Sequence, residues 1–344
     1  MLTREGAFAN KIKEKGFTLI PNTISRSITS PIKDLCSTIN LVRYFNKIKP
    51  DLVHNIALKP VLSGSIAAWF ARVPVVINSY AGLGHAFTSE SFALRVLRTM
   101  LIPFVRLFLR SSSIHSIVQN SDDEEILLAY GLIKKDSLSM IRGSGVDTEK
   151  FKYTEETCDT SEIVIFPSRF LKDKGIYDYI DAVRLLRERY PKVRFVMAGD
   201  TDMGNPTSIT KDELLGWIKE GIVELWGYSD DMEKTLSKVN IVCLPSYREG
   251  LPKVLLEAAS CGRAIVTTDV PGCREIVKDE VNGLIVPAKN SIKLAEAIEK
   301  LIVAPKLRKQ MGESGRERVI QNFDIQRINM ETTDLYNALL KINV

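Results

Sequence analysis

Residues 240–268, NIVCLPSYREGLPKVLLEAASCGRAIVTT, decide the fold class. A nearly unbroken apolar run, Asn240–Leu244, passes through a polar loop into a helix-length segment, and a second apolar run, Ala264–Thr267, closes the unit. Strands that are apolar at every position belong in a parallel sheet with helices on both faces, since a solvated face would place polar residues at every second position. Parallel neighbours need a long crossover, which the intervening helix supplies.

The same alternation extends in both directions. Upstream, the strand candidates are Leu52–His54, Val75–Asn78, Ser116–Gln119, Ser139–Arg142, Ile163–Pro167, Val193–Ala198 and Val223–Trp226; downstream, Leu284–Val286 follows. Helix-length segments separate them, which is the pattern of a doubly wound α/β fold. At 344 residues the chain exceeds one ordinary core and suits two domains. The Gly143–Asp147 turn and the polar stretch Thr154–Ser161 mark the break. This gives an N-terminal domain over 1–150, a C-terminal domain over 151–324, and a helix over 325–344 expected to pack back towards the N-terminal domain. That helix carries Ile328, Leu335, Leu339 and Leu340 at helical spacing.

A doubly wound domain normally begins with a buried strand running into a glycine-rich turn. Here the charged segment MLTREGAFANKIKEKG reads as a helix, followed by a short strand at Phe17–Pro21. The N-terminal domain is therefore expected to lack its first strand and glycine loop.

Composition excludes several classes. With 45% hydrophobic and 26% charged residues the chain builds a real core. A net charge of +5 is too small and too dispersed for a nucleic-acid binder. Five scattered cysteines, none in a C-x-x-C pair, indicate neither a disulfide framework nor a zinc knuckle. No signal-peptide pattern and no run of eighteen uncharged apolar residues occur, so a cytoplasmic location is expected.

The densest chemistry lies in the opening stretch. Glu249 sits in the loop with Gly250, Leu251 and Pro252, at the mouth of a helix whose N-terminus offers N–H groups to a phosphate or a sugar oxygen. Glu257 lies over one turn into that helix. Carboxylates are acceptor-only and pair well with the vicinal hydroxyls of a ribose or hexose. Taken alone, such a spacing reads first as a solvated loop charge and a carboxylate that caps or pairs on a helix surface; the surrounding residues favour the ligand reading. A second loop, PSRFLKDKG at 167–175, also follows a strand and carries Arg169 and Lys174. Two cations at a strand's carboxyl end can meet a diphosphate, Arg through its planar fork and Lys as a point charge. Two such loops in one doubly wound domain form a crevice for a nucleotide diphosphate.

These pieces, SRFLKDKG, VMAGD, ELWGYSDD, SYREGLPKVLLEAASCGRAIVTTDVPG and NGLIV in this order, resemble the C-terminal domain of the retaining glycosyltransferases of family four. The N-terminal half adds the RSxxxP-type residues Arg26–Pro31, KPDLVH at 49–54, VQNSDDEEIL at 118–127 and GSGVD at 143–147. The similarity is greatest to bacterial members that add a hexose or N-acetylhexosamine to lipid-linked polysaccharide precursors. It implies a GT-B fold of two Rossmann-like parallel-sheet domains facing across a cleft, the N-terminal one on the acceptor side. It also implies a nucleotide-sugar donor, most simply a UDP-sugar, a glycan or polyprenyl-diphosphate-linked acceptor, and retention of configuration. No cofactor is implied, the nucleotide-sugar being a co-substrate. Arg169 and Lys174 would then hold the diphosphate, Glu257 the ribose and Glu249 the transferred sugar, with backbone contacts from Gly250, Leu251 and Pro252.

Other candidates are weaker. The Asp200-Thr-Asp202 triplet has the form of a metal motif but no companion ligands, so metal-independent transfer is expected. On the acceptor side His54 and His85 lie where a cleft would open, and a histidine near neutral pKa can relay a proton; a structural role is an equal reading for His54. Residues 92–110, FALRVLRTMLIPFVRLFLR, mix apolar side chains with Arg95, Arg98, Arg106 and Arg110, which suits docking on an anionic membrane surface at its inner face and equally suits packed helices with basic outer faces. Two rival functions stay open from the sequence: a nucleotide-sugar epimerase on the same fold, and an inactive binding module.

Overall fold

The computed structural model describes residues 1–3, 9–21, 31–83, 102–156, 162–202 and 204–342. His85, Arg95, Arg98 and most of the Arg26–Pro31 motif lie outside them. The chain forms two compact units, each α/β with parallel strands.

The larger unit comprises Gln119–Asp122 and Ile141–Thr333. Its six strands are β7 (Ile163–Pro167), β8 (Arg194–Ala198), β9 (Glu224–Gly227), β10 (Ile241–Leu244), β11 (Ala264–Thr268) and β12 (Leu284–Val286). They lie in the order β12-β11-β10-β7-β8-β9, all parallel, so β7 and β10 are central neighbours. Alternate residues of β7 enter different cores. Val164 and Phe166 pack with Tyr179, Val183 and Leu301, whereas Ile163 and Ile165 pack with Leu255, Ala258 and Val319. This double burial is why the strand is apolar throughout, and each such side chain stabilises the fold by about 1.5–3 kcal/mol.

The smaller unit comprises Met1–Val118, Asp123–Met140 and the segment from Asp334. It holds β3 (Leu52–Ile56), β4 (Val75–Tyr80), β5 (Ile114–Val118) and β6 (Leu138–Met140), parallel and in that order. Two further short strands, β1 (Leu2–Thr3) and β2 (Ile20–Pro21), pair parallel with each other in a separate two-stranded sheet. The chain therefore opens on a strand rather than on a helix, and the helix comes next, over Ala9–Glu14.

The division between units falls at Met140, before the Gly143–Asp147 turn that the sequence suggested as the break. The reason is a long-range pairing: Val146 N–H donates to the Phe323 carbonyl at 2.9 Å, and Ile325 N–H donates back to Val146. That exchange ties residues 141–150 to the larger unit. The helix Ile325–Ile342 begins in the larger unit, and its residues from Asp334 pack with the smaller one.

Candidate active site

The two central strands β7 and β10 each end in a loop at the same edge of the sheet, and these loops carry the residues singled out above. Their mutual position is set by glycine. Gly175 has φ +73°, and a Cβ there would lie 1.9 Å from the Pro245 carbonyl oxygen. Only glycine lets the loop after β7 press against the loop after β10 this closely. Tyr247 N–H donates across the join to the Asp173 carbonyl at 2.9 Å.

Across this junction Lys174 Nζ meets Glu249 Oε1 at 2.5 Å, with side-chain exposures of 20% and 10%. Ser246 Oγ donates to the same carboxylate oxygen at 2.7 Å. Residues 75 positions apart thus converge on one oxygen. The loop backbone is also held from outside: Gly272 N–H donates to the Glu249 carbonyl at 3.2 Å and Asn120 Nδ2 to the Gly250 carbonyl at 3.0 Å. Leu251 fills the space that Gly143 leaves by having no Cβ. Pro252, in extended conformation, is the N-cap of the helix Lys253–Ser260, whose first turn therefore opens beside Glu249.

Glu257 lies within that helix, buried, with Lys253 Nζ at 3.6 Å one turn earlier. Burial raises its carboxyl above the ordinary value of 4.5, and the Lys253 charge offsets part of the rise. As an acceptor-only group, this buried carboxylate can take hydrogen bonds from hydroxyls.

Arg169 is more exposed and turns to Asp202, with Nη1 to Oδ2 at 2.8 Å. Lys174 and Glu249 are therefore in direct contact, while Arg169 is engaged by Asp202 in the same unit. Asp200 accepts from Thr201 N–H at 2.7 Å. Among the described residues no cluster of three or more His, Cys, Asp or Glu side chains is arranged to hold a metal ion. Ser246 and Asn120 were not singled out from the sequence; Ser246, three residues before Glu249 in a strand-end loop, was the one with a local signal.

In the smaller unit both ring nitrogens of His54 are engaged, Nδ1 with Tyr336 Oη at 2.5 Å and Nε2 with Ser79 Oγ at 2.6 Å. Burial lowers its pKa below 6.5 and favours the neutral ring. Arg106, half-buried in the helix over 102–109, holds a backbone carbonyl with its guanidinium: Nε donates to the Tyr130 carbonyl at 2.9 Å, and Nη2 donates to the same oxygen. Arg110 at the end of this helix is exposed. Among the described residues no helix is long and apolar enough to cross a membrane.

With this geometry in place, the chain can be compared with known proteins. The family described as Glycosyl transferases group 1 matches residues 147–318, half of the chain, and the family Glycosyl transferase 4-like matches residues 2–115. The chain belongs to the group 1 glycosyltransferases, and its activity is glycosyl transfer. Among curated relatives it is 26% identical to the N,N'-diacetylbacillosaminyl-diphospho-undecaprenol alpha-1,3-N-acetylgalactosaminyltransferase of Campylobacter jejuni, covering 99% of this chain and 91% of that one. It is also 26% identical to the UDP-Gal:alpha-D-GlcNAc-diphosphoundecaprenol alpha-1,3-galactosyltransferase of Escherichia coli, covering 91% and 82%. Among solved structures, Anabaena Alr3699/HepE in complex with UDP-glucose superimposes with a TM-score of 0.80 at 21% identity, over 98% of this chain and 91% of that one. The fold is GT-B, with two Rossmann-like domains.

Proposed function

We propose that this protein transfers a hexose or N-acetylhexosamine from a UDP-sugar to a lipid-linked or polysaccharide-precursor acceptor, with retention of configuration and without a metal ion. The observation that carries the reading is the convergence of Lys174, Ser246 and Glu249 beside the mouth of the Lys253–Ser260 helix. Support for the donor comes from the solved relative bound to UDP-glucose, and support for the acceptor from relatives whose names specify diphospho-undecaprenol substrates.

In this reading Lys174 moves from Glu249 onto the donor diphosphate, joined by Arg169 released from Asp202. Glu249 is then free to accept from the hydroxyls of the sugar, and Glu257 accepts from those of the ribose. The helix N-terminus beside Gly250, Leu251 and Pro252 adds its dipole. No protein nucleophile is required: stabilising the departing diphosphate supplies the largest share of catalysis, and that same phosphate guides the acceptor hydroxyl to the face it leaves. The acceptor's lipid carrier places the enzyme at the cytoplasmic face of a membrane, with the smaller unit towards the acceptor.

A screen of UDP-hexoses and UDP-N-acetylhexosamines against a polyprenyl-diphosphate-linked acceptor, with product configuration read by NMR, tests the proposal. Full turnover by Glu249→Ala and Glu257→Ala would defeat the site assignment, and an inverted product would defeat retention. Chelation of divalent ions should leave turnover unchanged; its loss would mean that a metal takes part.

A further inference from the structure

The segment Gln119–Asp122 counts with the larger unit, although the chain enters it from β5 and leaves it at Asp123 for the smaller one. Two contacts anchor the excursion. Asn120, fully buried, donates from Nδ2 to the Gly250 carbonyl at 3.0 Å, and the Asp122 carboxylate accepts from Arg274 Nη2 at 2.6 Å. Arg274 belongs to the helix Pro271–Ile276, whose Gly272 N–H holds the Glu249 carbonyl at 3.2 Å. A Cβ on Gly272 would lie 2.3 Å from the Gly250 carbonyl oxygen, so this helix presses on the same peptide that Asn120 grips. The consecutive carbonyls of Glu249 and Gly250 are therefore pinned from two elements, and an ion pair joins those elements to each other.

No cis peptide occurs among the described residues, and in a planar trans peptide the N–H points opposite to the C=O. With the Glu249 carbonyl turned to Gly272 and the Gly250 carbonyl turned to Asn120, the N–H groups of Gly250 and Leu251 face the other way. Neither has a hydrogen-bond partner among the described residues. The helix Lys253–Ser260 follows at once, and the N–H groups of its first turn have no intrahelical acceptor. Successive N–H groups presented together by a loop make an anion-binding concavity. A peptide free to rotate would as readily turn its carbonyl to the anion and repel it. Holding the carbonyls back is what fixes the sign of the surface.

We infer, on the UDP-sugar reading above, that Asn120 is a positioning residue for the donor: by holding the Gly250 carbonyl it turns the Leu251 N–H onto the donor diphosphate. An amide suits this task because it donates to a carbonyl without bringing a charge; a carboxylate of the same shape is acceptor-only and would repel that oxygen. Asn120 lies outside the 147–318 match to the group 1 family, so part of the donor loop's geometry is set by a residue beyond it.

Amide hydrogen exchange on the intact protein, with and without saturating UDP, reads the loop directly: the Gly250 and Leu251 amides should slow at least about tenfold when UDP binds. Calorimetric titration of Asn120→Ala and Asn120→Asp then tests the cause. UDP should bind about tenfold more weakly to the alanine variant and more weakly still to the aspartate variant, while uridine, which has no phosphate and is read as an inhibitor of transfer, should stay within about threefold of wild type in both. Unchanged exchange of the two amides, UDP affinity within about threefold of wild type in both variants, or an equal loss for UDP and uridine would overturn the inference and leave the UDP-sugar reading standing, the last by showing a role in folding the loop alone. Failure of UDP to bind the wild-type protein would overturn both.

Discussion

Replacing Lys174 by Met and Glu249 by Gln, singly and together, probes the centre of the donor site. The ions stand 2.5 Å apart with most of both side chains withdrawn from water. At an effective dielectric constant of about 20, their gross attraction is about 6–7 kcal/mol, much of it offset by desolvation. Truncating one partner strands the other, so each single variant should lose about 3 kcal/mol of stability. The double variant strands neither charge and should lose less than the two singles combined, giving a coupling of about 2 kcal/mol. Denaturant unfolding of the four proteins measures this. Calorimetric titration then separates the roles. Lys174→Met should weaken UDP itself by about 10- to 100-fold, the worth of a charge-assisted hydrogen bond of roughly 1.5–3 kcal/mol. Glu249→Gln should leave UDP binding near wild type and remove only the extra affinity of the UDP-sugar over UDP. The reasoning fails if Lys174→Met binds UDP within about threefold of wild type, or if the coupling is below about 0.5 kcal/mol.

Glu257 gives a pH test with a definite sign. Its native pKa is raised, so its contribution to stability is fully present below 4.5 and is lost as pH rises through the raised value; Glu257→Gln should flatten that part of the stability profile. Donor affinity should run the other way in wild type, falling as pH drops through the raised value and the acceptor carboxylate is protonated; identical pH profiles for wild type and variant would show that Glu257 does not face the ligand. Gly175→Ala adds a side chain at φ +73° and a contact of 1.9 Å to Pro245, and should cost about 2–4 kcal/mol and weaken the donor, read by melting temperature and UDP titration; an unshifted melt would mean that the two loops are not locked together. Arg106→Gln should lower stability by about 1–3 kcal/mol through loss of its two hydrogen bonds to the Tyr130 carbonyl, with liposome flotation unchanged; a flotation loss without destabilisation would assign Arg106 to a docking face.

The sheet framework was legible because buried parallel strands advertise themselves. Every strand predicted from Leu52 onward falls within two residues of an observed one, Ile163–Pro167 and Leu284–Val286 match at both ends, and the helix expected over 325–344 is described over Ile325–Ile342. Leu2–Thr3 escaped because two residues carry no period, while the strand expected over Phe17–Pro21 is only Ile20–Pro21. The boundary was misplaced because Val146 and Phe323 meet across a separation that no local pattern records. At the site, the loops after β7 and β10 could be chosen by strand order and residue type, but not the choice that each cation makes. Nothing in RFLKDKG says that Arg169 turns to Asp202 while Lys174 turns to Glu249, since both outcomes satisfy a flexible cation. Arg106 shows the same limit: a basic residue beside an apolar run reads as a surface charge until a backbone carbonyl is found at its tip.

The contact between His54 and Tyr336 has a bearing on how the protein is made. Tyr336 belongs to the part of the final helix that packs with the smaller unit, while the intervening residues Ile141–Thr333 fold into the larger one. During synthesis the N-terminal segments emerge first, yet the hydroxyl that caps the half-buried His54 ring follows some 280 residues later. At roughly 5–20 residues per second, that interval is on the order of tens of seconds. For that time the first half of the chain waits on the ribosome with His54 held through Ser79 alone, exposed to chaperones and proteases, and a premature stop that spares every donor-site residue would still leave this unit unfinished.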